Sequence, residues 1–145
     1  MNQGRTIFSQ IIDFMPRYEF DKFVKKYHGN YRCRTFSTWD QFLCMIFAQL
    51  SYRESLRDIE SCLKSQSEKL YHMGIKGNVA RMNLARANER RDWRIFAEFA
   101  QTLIDQARPL YLDDSEFIAA IDSTVYALDS TTIDLCLSIF PWAEF

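Results

Sequence analysis

Apolar residues recur every three or four positions through the first 110 residues of this chain, and then the rhythm changes. Ile7, Phe8, Ile11, Ile12 and Met15 fall on one helical stripe that stops at Pro16, a residue that cannot continue a helix. Phe20, Phe23, Val24 and Tyr27 form the next stripe, which ends at Gly29-Asn30, a C-terminal stop signal. Ser37-Thr-Trp-Asp40 reads as a capping box with Asp in the place of the usual Glu or Gln, and Phe42, Leu43, Ile46, Phe47 and Leu50 supply the apolar face behind it. Ser51-Tyr-Arg-Glu54 is a complete Ser-x-x-Glu box, followed by Leu56, Ile59 and Leu63. The expected unit is helix, tight turn, helix. Gly74-Ile-Lys-Gly-Asn78 then breaks the pattern. Trp93, Phe96, Phe99, Ala100, Leu103 and Ala107 predict a long amphipathic helix that begins near Asp92, its cap, and fades at Pro109.

From Asp113 onward the period becomes extended. Phe117 to Ile121 and Val125 to Leu128 favour strands, and each is followed by the tripeptide Asp-Ser-Thr. A carboxylate buried within a strand costs several kcal/mol unless it is paired or holds a metal. Each Asp here therefore binds something or sits at a strand end in water. The expectation is a mainly α N-terminal part followed by β-strands.

The apolar fraction of 48% and the aromatic fraction of 15% exclude a disordered chain. No apolar run approaches the ~20 residues of a bilayer span, and Met-Asn-Gln-Gly-Arg-Thr lacks the order of a signal peptide, so a cytoplasmic protein with no membrane partner is expected. The net charge of −1 hides an asymmetry. All 18 Lys and Arg lie at or before Arg108 and seven of the 19 acids lie beyond residue 110, which leaves +6 on residues 1–110 and −7 on the remainder. A basic half suits phosphates, and an acidic cluster suits a divalent cation. Cys33, Cys44, Cys62 and Cys136 have no zinc-site spacing and read as reduced thiols.

The candidate DNA contacts follow from the basic half. Arg53 and Arg57 belong to the helix after the tight turn, with Lys64, in a unit compatible with a helix-turn-helix that places its second helix in a DNA groove. Arg81, Arg86, Arg90, Arg91 and Arg94 make the densest basic stretch, and guanidinium groups pair well with phosphate. The alternative is a solvated, charge-balanced surface, because Glu54, Asp58 and Glu60 accompany the first group and Glu89, Asp92 and Glu98 the second.

The run Tyr126-Ala-Leu-Asp-Ser-Thr-Thr-Ile-Asp-Leu-Cys-Leu-Ser-Ile-Phe-Pro-Trp-Ala143 resembles the first catalytic strand of bacterial insertion-sequence DDE transposases, the cut-and-paste group with an RNase H-like core. The resemblance extends back through Lys76-Gly-Asn-Val-Ala-Arg81 and Ala87-Asn-Glu-Arg-Arg-Asp-Trp-Arg-Ile-Phe96. Phe8-Ser-Gln-Ile-Ile12 and Tyr31-Arg-Cys-Arg-Thr-Phe-Ser-Thr-Trp-Asp-Gln-Phe42 are similar to the small helical domain that precedes that core in one branch. It implies a helical, DNA-binding N-terminal domain over 1–74, basic connecting helices over 75–112, and the start of a truncated RNase H-like catalytic domain over 113–145.

The resemblance also implies chemistry. Three carboxylates, Asp, Asp and Glu, hold two Mg²⁺ ions that activate a water or a DNA 3′-hydroxyl against a phosphodiester, with the ions roughly 3.5 to 4 Å apart. Matching the motif makes Asp129 the first catalytic carboxylate and metal ligand, with Thr131 and Thr132 as hydroxyl neighbours. Asp122 is the competing candidate, lacking the Thr-Thr continuation. Asp134 reads as a surface or helix-start acid, and Asp113, Asp114 and Glu116 as a solvated loop. The chain ends at Phe145, before the second Asp and the Glu of the pattern, so no strand transfer is expected from it alone. The implied partner is DNA, at the element's terminal inverted repeats, with a homodimer on the DNA. Two alternatives accompany this expectation: an inactive fragment that binds DNA or full-length subunits as a transposition inhibitor, and a helical interaction domain with no nucleic-acid role.

Overall fold

The computed structural model describes residues 6–76 and 79–112. In chain order the helices are α1 (Ile7–Ile12), α2 (Arg17–Lys26), α3 (Thr38–Leu50), α4 (Leu56–Ser65), α5 (Arg81–Arg90) and α6 (Arg94–Leu112), with a 3₁₀ turn at Ser67–Lys69 after α4. The chain divides into two compact units, Met1–Arg108 and Pro109–Phe145.

Among the described residues there is no strand or sheet, which corrects the expectation of an α front end passing into an RNase H-like α/β core. The described architecture is all-α. Its physical reason is periodicity: the buried positions along α2, α4, α5 and α6 repeat at three or four, the spacing that lines one face of a helix, while α3 is central and buried nearly all round from Thr38 to Cys44. The expected strands at Phe117 to Ile121 and Val125 to Leu128 lie outside the described residues. So do Asp113, Asp114, Glu116, Asp122, Asp129, Thr131, Thr132, Asp134 and Cys136. α6 runs through Pro109 to Leu112 where the sequence suggests fading at the proline, since proline's φ fits a helix and its cost there is a lost hydrogen bond.

The starts of α1, α3 and α4 are fixed by side chains. Thr6 Oγ1 accepts from the Ser9 amide at 3.1 Å. At α3 the box forms with Asp in the acidic position: Ser37 Oγ accepts from the Asp40 amide at 3.0 Å, and Asp40 Oδ2 accepts from the Ser37 amide at 2.9 Å. Asn30 Oδ1 adds a second layer by accepting from the amide and hydroxyl of Thr38 at 2.8 and 2.9 Å. α4 begins one turn later than expected. Ser51 Oγ donates back to the Phe47 carbonyl at 2.6 Å, Tyr52 takes a left-handed φ of 53°, and Ser55 caps α4 by accepting from the Asp58 amide at 3.1 Å.

The core is a cluster of aromatic rings beside an aliphatic layer. Phe20 packs against Trp39, Phe42 and Phe99 with ring centroids 5.1, 5.0 and 5.0 Å away, so α2, α3 and α6 meet at one ring. Leu43, Leu63, Met73, Leu84 and Ile95 are fully buried next to it. Each such side chain contributes about 1.5–3 kcal/mol by leaving water. α5 packs against α3 and α4 through Leu84 and Ala87. At the surface, Lys26 on α2 pairs with Glu98 on α6 at 2.8 Å, and the Tyr27 hydroxyl donates to the same carboxylate.

Candidate nucleic-acid interface

α5 has one apolar edge and one basic edge, and their spacing decides what each meets. Leu84 and Ala87 turn into the core, while Arg86 and Arg90, four residues apart, are exposed on the same side as the half-buried Asn83. Facing them is the segment between α2 and α3, which leaves α2 through a left-handed His28 (φ 52°) and turns again at a left-handed Arg32 (φ 55°). A cavity of about 610 Å³ lies between the two, lined by Arg32 and Arg34 on the loop and by Arg86, Arg90 and Arg91 on and after α5.

Each non-glycine residue held in the left-handed region costs about 1–2 kcal/mol, and such strain persists where surrounding contacts overdetermine it, as at binding sites. Two of the three such residues described here lie in this wall, the third being Tyr52.

The wall is held by Arg91. Its Nη1 donates to the Ser37 carbonyl at 3.0 Å and to Gln41 Oε1 at 2.8 Å; its Nη2 donates to the Phe36 carbonyl and lies 3.2 Å from Cys33 Sγ. Gln41 is itself oriented by a 2.6 Å bond from its Nε2 to Asn88 Oδ1 on α5. One guanidinium thus fastens the loop to the start of α3. Beyond that loop, a second cavity of about 640 Å³ shares Cys33, Arg34, Thr35 and Phe36 with the first and adds Arg17 and Lys76.

The seven arginines expected to contact DNA therefore occupy different situations. Arg86 and Arg90 line the groove and make no hydrogen bond or ion pair among the described residues, as is also true of Arg34. Arg91 is a strut within the fold. Arg94 forms a two-pronged pair with Asp92, at 3.0 and 2.6 Å, and its guanidinium lies 4.8 Å from the centre of the Tyr27 ring. The Arg94 hydrogen bonds hold the Asp92 carboxyl below its usual range, so the acid in the groove's lining is already engaged. Arg53, expected on the helix after the tight turn, instead precedes α4 because that helix starts at Leu56; it lies 3.6 Å from Asp58, and on α4 itself Lys64 pairs with Glu60 at 2.8 Å. Glu60 is held below the usual carboxylate range by Lys64 first, with further contributions from a backbone bond and the charge of Arg81. Arg57 is exposed on α4, and Arg53, Arg57 and Arg81 do not line the groove.

Arg32 and Arg34, in the segment Tyr31-Arg-Cys-Arg-Thr35, are not among the arginines that the sequence pattern marks as DNA contacts. The usable signal was two arginines in a segment without helical period, next to a stop signal, where a loop sets side chains opposite a basic helix.

Four guanidinium groups without carboxylate partners among the described residues, gathered around one concavity, suit an anion with several oxygens. Their planar forks match phosphate. Among the described residues no group of three or more His, Cys, Asp or Glu is placed to hold a metal ion, and Asp129, the expected Mg²⁺ ligand, lies outside them. No described helix is long and apolar enough to cross a membrane. A family model described as a domain of unknown function (DUF4372) matches residues 3–76, which include α1 to α4 and the loop wall of the groove. No curated protein and no solved structure gives a significant match.

Proposed function

From a chain that belongs to the DUF4372 family, a domain found in transposase-like proteins, we propose the DNA-binding part of a bacterial insertion-sequence transposase, acting at the ends of its element. The observation that carries the reading is the groove between the His28–Phe36 loop and α5, where Arg32, Arg34, Arg86 and Arg90 converge without acidic partners among the described residues. Phosphates bound there displace condensed counterions, so affinity falls steeply with salt. Phosphate contacts fix register, and discrimination among sequences comes from base edges or from DNA shape. Arg91 acts here by holding the loop at its distance from α5, not by reaching the DNA.

On the same reading Asp129 contributes one carboxylate to a Mg²⁺ site for phosphodiester cleavage and strand transfer, completed by carboxylates elsewhere in the enzyme. Carboxylate oxygen suits that hard cation. DNA capture by the groove needs no metal.

The test is fluorescence anisotropy with duplexes carrying the inverted repeats that flank the coding sequence and with shuffled duplexes, at two fixed salt concentrations. Tighter binding to the repeats, weakening with salt, is expected; equal and weak binding to both removes the reading.

A further inference from the structure

The shape of the arginine groove, together with an exposed ring on its rim, points to a more specific ligand. We infer that the groove takes an unpaired DNA strand, with phosphates on Arg32, Arg34, Arg86 and Arg90 and a base stacked on Tyr31. This inference rests on the proposed DNA-binding function and narrows it.

Reading a duplex takes an element that projects into a groove about 12 Å wide, such as a helix with its basic face outward. Around α4, the helix that follows the tight turn, most of the basic charge is matched: Arg53 in the turn lies beside Asp58 and Lys64 is paired to Glu60, which leaves Arg57 as the one arginine there without an ion pair among the described residues. Arg32, Arg34, Arg86 and Arg90, four arginines without ion pairs among the described residues, instead line one concavity of about 610 Å³, within the ~300–1,000 Å³ range of pockets that enclose small ligands. A single strand presents a narrow, flexible row of phosphates that such a groove can follow.

Aromatic surface supplies the second element. Proteins that hold single strands combine a basic groove for the backbone with side chains on which bases stack, a sequence-tolerant contact because every base has a π-face. Tyr31 lines the groove and remains 71% exposed, with the Arg32 guanidinium 5.1 Å from its ring centre. That arrangement offers a stacking surface and a phosphate ligand from adjacent residues. The left-handed φ of Arg32 sets this pair, and Gly29, Asn30 and the Arg91 strut anchor the loop on either side.

The experiment uses one labelled sequence in three forms: single strand, blunt duplex, and duplex with an unpaired extension. Anisotropy is measured for the wild-type chain, Tyr31→Ala and Tyr31→Phe, with circular dichroism to verify folding, which so exposed a ring is not expected to affect. The single strand and the extended duplex should bind more tightly than the blunt duplex. Tyr31→Ala should weaken those two by roughly 5- to 100-fold and leave the blunt duplex unchanged, while Tyr31→Phe keeps the wild-type affinities. Blunt duplex binding as tightly as single strand, with Tyr31→Ala moving neither, overturns the inference and leaves the DNA-binding reading standing. If none of the three forms binds, the DNA-binding reading itself fails, and the inference with it.

Discussion

Gly29 lies so close to Ile95 that a Cβ at position 29 would stand 2.6 Å from Ile95 Cδ1 and 2.9 Å from Thr38 Oγ1. Ile95 and Thr38 are fully buried, so neither can swing into solvent to make room. Gly29 is not in the left-handed region, which His28 occupies in its place; the need at 29 is for space. Gly29→Ala should therefore destabilise the fold by roughly 1–3 kcal/mol through overpacking, read by urea denaturation. Gly74→Ala fails for another reason: its φ of 79° strains any side chain, although the nearest contact, Leu43 Cδ1 at 3.4 Å, is ordinary. Its cost should be about 1 kcal/mol.

Asp40 connects three parts of the chain. Its Oδ2 accepts from the Ser37 amide and from the Ser37 hydroxyl at 2.6 Å, and its Oδ1 accepts from the Lys76 amide at 2.9 Å. The residue is buried, so donors stripped of this acceptor pay a desolvation cost. Asp40→Ala should lower stability by about 2–3 kcal/mol, more than an isolated cap does, and hydrogen exchange at the Lys76 amide should accelerate.

That box shows where the sequence was legible. Ser37 and Asp40 read correctly because a cap depends on residues three apart, a local fact. Ser51 and Glu54 match the same pattern, yet Tyr52 turns left-handed and Ser55 becomes the cap; the choice between two nearby serines is made by packing of Leu56 and Ile59 on the core. Trp93 fits the helical stripe but is 71% exposed, while Ile95 takes the buried place. The site was half visible for a similar reason. Arg86 and Arg90 stand in a dense basic run, whereas Arg32 and Arg34 join them only through the folding of a loop. Arg91 looks like its neighbours in sequence; only its distances to the Ser37 and Phe36 carbonyls and Gln41 show a strut. The expected strands and Asp129 fall beyond the described residues.

Cys44, fully buried in α3, has its thiol pushed up to about 12, by burial first and then by the Asp40 carboxylate. The sign follows from the unfolded thiol ionising near its ordinary value of 9.0 while the folded one stays protonated. The stabilisation is complete below about pH 9 and is lost as pH rises from there toward about 12. Cys44→Ala should reduce the slope of stability against pH across that window, although the cavity lowers stability throughout. In the folded protein near pH 8, iodoacetamide should modify exposed Cys33 and spare Cys44, as read by peptide mass spectrometry.

Salt-dependent binding separates DNA held in the arginine groove, as proposed, from DNA held on α4 and the turn before it. The measurement is the affinity of a labelled inverted-repeat duplex with an unpaired extension across a salt series. It compares the wild-type chain, Arg86→Ala/Arg90→Ala and Arg53→Ala/Arg57→Ala, with thermal melts run alongside. Loss of two phosphate contacts should weaken binding by roughly tenfold or more in the groove variant and reduce the steepness of log affinity against log salt by about 1.4–1.8, without a comparable loss of melting temperature. The Arg53→Ala/Arg57→Ala variant, at α4 and the turn before it, should keep the wild-type slope. An unchanged slope in the groove variant, with the loss appearing in the Arg53→Ala/Arg57→Ala variant, would contradict the account.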